Sequence, residues 1–152
     1  MAQTAFCYRT GDYHIVLEQG MRSELLTLDD IYPVPFAPDW CIGLASSRGD
    51  LFPVLDMHRV LLNQPRPQHQ SLLWLKHEAF APIVISCDGL PKQIELPSGE
   101  TDSERMPGLP GWIRRTWVKE GELLLGADHA RLFKALSKQM HPATGHPAIE
   151  DL

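Results

Sequence analysis

No run of this chain approaches the roughly 18 apolar residues that a membrane-spanning helix needs, so no direct membrane insertion is expected. The first dozen residues, MAQTAFCYRTGD, lack the charged and apolar regions of a secretion signal, which places the expected protein in the cytoplasm. There is no Cys-x-x-Cys, and the three cysteines, Cys7, Cys41 and Cys87, each sit in an apolar run, as buried, reduced thiols do. Seven histidines, at 14, 58, 69, 77, 129, 141 and 146, show no four-residue helical pairing, so they read as scattered surface residues and no metal is expected. Gly-x-Ser-x-Gly, the P-loop and Gly-x-Gly-x-x-Gly are all absent, which removes the usual nucleophile elbow and phosphate cradles; no cofactor is expected. Basic excess is missing too. A net charge of −5 argues against a nucleic-acid partner, and the Arg114-Arg115 pair beside Trp112 and Trp117 reads as an amphipathic strand.

What the chain has is a distinctive stretch at residues 33–56, PVPFAPDWCIGLASSRGDLFPVLD. Pro33, Pro35 and Pro38 fix φ and remove amide donors, so the segment begins extended. Two apolar runs, Trp40-Cys41-Ile42-Gly43-Leu44-Ala45 and Leu51-Phe52-Pro53-Val54-Leu55, flank a polar break containing Gly49. That pattern predicts a β-hairpin with Arg48 charged and exposed at its tip. Asp56 then suits the cap of a short helix over 57–62, because its carboxylate accepts free amide protons.

The remaining chain repeats this style. Strands are expected at 6–9 and 13–17 around Gly11-Asp12, and at 21–28 with Glu24 aboard. A proline-rich loop follows at 63–70, then a strand pair at 72–76 and 79–86. Cys87-Asp88-Gly89-Leu90-Pro91 reads as a turn before a short strand at 93–96. A long loop covers 97–111, and strands at 112–118 and 122–125 surround Glu120-Gly121. Asp128 can cap a helix at 129–140 with Leu132, Phe133, Leu136 and Met140 on one face. The tail, 141–152, has little to pack, and its removal is expected to leave the melting temperature unchanged. No solenoid-type repeat is present. The sum is an all-β barrel or sandwich with two helices, and a tip arginine among exposed turns points to recognition.

The Pro33/Pro35/Pro38 set, Gly43, Arg48-Gly49, Pro53-Val54 and Asp56, in that order, resemble the central signature of the CheW family of chemosensory adaptors. The likeness runs from about residue 6 to 133. Glu24 falls where the family has a glutamate on an early strand, Asp88-Gly89 matches its aspartate in the second half, and Leu123-Leu124-Leu125 with Asp128 and Leu132 matches its closing strand. The resemblance implies two small packed five-stranded, SH3-like β-barrels with a short helix and a C-terminal helix, over 5–140 with an internal boundary near 63–71. It also implies a non-enzymatic protein bridging a methyl-accepting chemoreceptor tip and the regulatory domain of a CheA-type histidine kinase. By that likeness Glu24, Ile42, Gly43, Arg48 and Gly49 meet one partner, and Asp88, Gly89 and Leu90 form a second face.

Three departures stand out. Ser46-Ser47 replace the family's Asn-Leu before Arg-Gly, Arg114-Arg115 stand where a glycine is usual, and Arg22 replaces a valine. They suggest a divergent member, serving a pilus-type or other accessory chemosensory system. One alternative is a module that binds only kinase or only receptor, as a modulator. Another, of a different class, is a small hydrolase with a site assembled from scattered His, Asp and Ser; it requires His58, Asp56 and a serine to converge.

Overall fold

The computed structural model describes residues 3–26, 31–68, 70–97 and 109–140. The expected tail at 141–152 and most of the expected loop at 97–111 lie outside the described residues. Among these residues ten strands run in order: β1 (Gln3–Thr10), β2 (Tyr13–Val16), β3 (Arg22–Leu26), β4 (Ile31–Tyr32), β5 (Cys41–Ser47), β6 (Asp50–Leu55), β7 (Ser71–His77), β8 (Phe80–Leu96), β9 (Ile113–Lys119) and β10 (Glu122–Ala127). A wide helical turn, His58–Leu62, follows β6, and an α-helix, α1 (His129–Met140), follows β10.

The architecture is all-β, as the closely spaced turn residues imply. Pairing runs β4-β5-β6-β8-β1-β2-β10-β9, and β7 pairs both β8 and β3. Two neighbours are parallel, β2 with β10 and β6 with β8; the other pairs are antiparallel. Two halves result. One contains β1, β2, β9 and β10 with the far end of β8; the other contains β3 to β7 with its beginning. Among the described residues neither half closes into a complete hydrogen-bonded ring, since the ladders end at β3, β4 and β9.

The turn expected at 87–91 is not there. β8 runs seventeen residues straight through it. Gly89 takes φ +65, and the register against β1 slips between Cys7 and Arg9. An extra residue absorbed as a bulge bends a strand without reversing it, which lets one strand serve both halves. Gly89 takes the left-handed φ that a turn would use, but pairing with β1 keeps the chain extended through it.

A continuous core lies between the halves, including Tyr8, Ile15, Leu55, Leu73, Leu75, Ile85, Ile113 and Leu125, and α1 adds Leu132, Phe133 and Leu136 to it. Each such side chain contributes about 1.5–3 kcal/mol of burial. All three cysteines are buried and unpaired, as expected.

The two tip-bearing hairpins repeat one another. The amides of Cys41 and Ile113 donate to the carbonyls of Pro38 and Pro110, at 2.9 and 3.1 Å. Those of Asp56 and Asp128 donate to Trp40 and Trp112, both at 2.7 Å. Arg48-Gly49 and Glu120-Gly121 both turn with two successive positive φ values, the type I′ geometry that matches strand twist. Asp56 then accepts from the Arg59 amide at 3.2 Å and Asp128 from the Arg131 amide at 3.0 Å, so both expected caps form. The first helix stops after one turn, with Asn63 left-handed at φ +53. The second continues as α1.

Candidate protein-interaction surface

Arg48 occupies the tip of the β5–β6 hairpin, with its side chain 78% exposed. Its guanidinium reaches Glu24 on β3 at 2.7 Å. Two of the singled-out residues, 24 positions apart in the sequence, are therefore neighbours. Around them lie Leu26, Ser47, Asp50, Phe52 and Trp74, lining a shallow hollow of ≈150 Å³. Phe52 and Trp74 meet edge to face at 6.3 Å and give this hollow an aromatic floor. Leu51, exposed, adds an apolar edge. An ion pair this exposed is worth about 0–1 kcal/mol, so the fold does not depend on it and the charges remain available to a partner.

Gly43 and Ile42 sit lower on β5. Gly43 is buried and has φ +154; a Cβ there would lie 2.4 Å from the Tyr32 carbonyl oxygen. The glycine lets β4 approach β5, so it shapes the surface from beneath. Gly49 differs: open space surrounds it, and its φ of +85 is the demand of the turn.

Asp88, Gly89 and Leu90 lie together on the β8 bulge. Gly89 and Leu90 are exposed, while Asp88 is buried and points inward. Its Oδ2 accepts from His58 Nε2 at 2.6 Å and from the Gly11 amide at 2.8 Å, and its Oδ1 accepts from Gln70 at 3.0 Å. Burial alone would raise this carboxyl, but the Gly11 amide, then Gln70 and His58, outweigh it and hold it below its ordinary value. The carboxylate thus ties the β1–β2 turn, the polar segment before β7 and the helical turn to the bulge that presents Leu90. A group with a lowered folded pKa gives stability that is complete above its unfolded value near 4 and is lost as pH falls through the folded one. Asp88→Asn is therefore expected to lose about 2 kcal/mol at neutral pH, with the gap to the parent narrowing in acid. Urea unfolding at both pH values measures it; a gap constant with pH would remove the charge from the account.

The histidines correct the sequence reading. His14, His58 and His129 are buried, and each meets a carboxylate: Glu122 at 3.1 Å, Asp88 at 2.6 Å and Glu18 at 2.5 Å. Burial pushes His14 down, with Glu122 opposing in part. His129 also meets the Tyr8 hydroxyl at 2.8 Å, while Glu18 Oε2 accepts the His129 amide at 3.0 Å. Sequence gave no signal for these pairs, because the partners are far apart along the chain. The hydrolase constellation does not assemble: His58 pairs with Asp88, Asp56 caps the helical turn, and Ser86 accepts from the Met57 amide. Among the described residues no cluster of three or more His, Cys, Asp or Glu could hold a metal. No described helix is long and apolar enough to cross a membrane.

Comparisons with known proteins agree with this geometry. The crystal structure of scaffolding protein TtCheW from Thermoanaerobacter tengcongensis superposes with a TM-score of 0.68, covering 84% of this chain and 85% of that one at 13% identity, a likeness of fold. Protein FrzA of Myxococcus xanthus is 34% identical over 59 residues, which cover 39% of this chain and only 37% of FrzA. The CheW-like domain matches residues 4–137, nearly the whole length, and the chain therefore belongs to the CheW-like domain family.

Proposed function

We propose that this protein is a non-enzymatic chemosensory adaptor, working in the cytoplasm, that couples a methyl-accepting chemoreceptor tip to the regulatory domain of a CheA-type histidine kinase. The exposed Arg48–Glu24 pair over an aromatic-floored hollow carries the reading: it offers a planar cation and an anion at a site that contributes little to stability. Glu24, Ile42, Arg48 and Gly49 form the first contact surface, with Gly43 shaping it. Gly89 and Leu90, positioned by Asp88, form the second. Exposed charges set register and partner choice, while the apolar floor and Leu51 supply area.

Arg48→Ala is expected to leave the melting temperature unchanged and to weaken partner binding about thirtyfold, the effect of losing a hot-spot arginine at 1.4 kcal/mol per decade. Arg48→Glu is expected to be worse, because it sets two carboxylates side by side and repels an acidic partner. Isothermal titration against a CheA-type regulatory domain, and separately against a receptor-tip hairpin, provides the test. Unchanged affinity for both partners would remove the tip from the interface. Loss toward one partner alone would favour the modulator that binds only kinase or only receptor, a reading supported by the small, polar Ser46-Ser47 beside the tip.

A further inference from the structure

The segment entering β5 contains a residue in a conformation it disfavours, and nothing among the described residues covers its side chain. Val34-Pro35-Phe36-Ala37 forms a turn closed by the Ala37 amide on the Val34 carbonyl at 3.3 Å. Phe36 occupies its third position with φ +62. Turns of this class take glycine or asparagine there, because a Cβ in the left-handed region crowds the carbonyl that follows. The internal repeat makes the departure plain: Pro-Gly-Leu-Pro, at 107–110, stands in sequence where the first hairpin has Pro-Phe-Ala-Pro, at 35–38. The ring is also 104% exposed, so no contact within the described chain compensates the strain. Pro35 and Pro38 stiffen the turn, and Ala37 packs on the core, so the ring is presented at little further entropic cost.

We propose that Phe36 anchors a symmetric contact between two copies of this chain, each ring seated in the apolar groove beside α1 of the other. That groove, ≈800 Å³, is walled by Trp40, Leu55, Phe80, Pro82, Phe133 and Leu136. Its rim carries two cations, Arg131 and Lys134, neither in a described salt bridge. It also carries one carboxylate, Asp128, which is engaged by the Arg131 amide as the cap of α1, so the rim is positive on balance. No acidic residue lies on α1. Beside Phe36, Asp39 has no described cationic partner. The ring therefore matches the groove in polarity, and the aspartate matches its rim in charge. Geometry favours closure. Trp40, one wall of the groove, lies four residues from Phe36, so the two are separated by no more than about 14 Å of extended chain. Two copies related by a two-fold axis can then exchange rings reciprocally, and the contact closes as a dimer without growing into a filament.

Sedimentation equilibrium of the chain alone, from micromolar to millimolar concentration, tests this independently of kinase or receptor binding. The parent is expected to dimerise. Phe36→Asn, which keeps the left-handed turn and removes the ring, is expected to be monomeric with a melting temperature unchanged or higher. Lys134→Glu is expected to weaken the dimer about tenfold or more, and adding Asp39→Lys to recover it. A parent that stays monomeric throughout, or a Phe36→Asn variant that dimerises as tightly as the parent, overturns the proposal. So does a monomeric parent whose Phe36→Asn variant loses affinity for the CheA-type domain, which would assign the ring to that partner.

Discussion

His129→Ala is expected to lower the free energy of unfolding by about 4 kcal/mol, and the melting temperature by roughly 12 °C. The ring is fully buried among Tyr8, Trp112 and Phe133, with centroids 5.7, 6.5 and 5.7 Å away, so truncation leaves a cavity. It also orphans two polar groups. The Glu18 carboxylate can only accept, so His129 Nδ1 donates to it, and Nε2 accepts from the Tyr8 hydroxyl. Burial, reinforced by the neighbouring Cys87 and Glu18, raises Tyr8 well above its ordinary pKa, consistent with a phenol that keeps its proton to donate. This three-membered chain joins β1, the residues after β2 and the first turn of α1. His129→Phe fills the cavity yet strands the hydroxyl and the carboxylate; adding Tyr8→Phe is expected to recover part of the loss. Chemical denaturation of the four proteins separates packing from hydrogen bonding. A loss below about 1 kcal/mol for His129→Ala would mean that α1 is held by its apolar face alone.

Gly43→Ala is expected to cost about 3 kcal/mol, unusual for the addition of one methyl group. The new Cβ would lie 2.4 Å from the Tyr32 oxygen, 2.9 Å from its carbonyl carbon and 3.0 Å from Ile31 Cγ2. Two of those atoms are backbone, which cannot rotate aside, and φ +154 adds strain for any L side chain. Relief therefore requires β4, a two-residue strand paired through Ile31 and Tyr32, to leave the sheet. Hydrogen exchange is expected to show lost protection at Ile31, Tyr32, Leu44 and Ala45 while α1 and β8 stay protected. If stability and protection match the parent, β4 does not approach β5 this closely in solution. The experiment also bears on recognition. A binding loss in Gly43→Ala that tracks the loss of β4 is a shape effect, whereas Arg48→Ala acts without unfolding anything.

What the sequence determined by itself was local. The Arg48-Gly49 and Glu120-Gly121 tips, the caps at Asp56 and Asp128, the α1 face carrying Leu132, Phe133 and Leu136, and the buried cysteines all follow from φ preferences, capping chemistry or apolar periodicity within a few residues. The hairpin repeat was also present in the chain, in the matched spacing of Pro38, Trp40, Gly49 and Asp56 with Pro110, Trp112, Gly121 and Asp128. The intervening side chains differ and hide it. Tertiary structure alone decided the rest. Arg48 met Glu24 because the fold brings the middle of β3 within reach of the hairpin tip, and no spacing rule links residues 24 and 48. Gly43 proved to be a packing residue because β4 lies across it. The buried histidines found carboxylates from distant strands and loops, and β8 stayed extended through Gly89 because β1 offered it partners on both sides of the bulge. The dividing line is sequence separation: a preference confined to neighbouring residues is written in their identities, whereas a contact between distant ones exists only once the sheet has fixed which strands lie together.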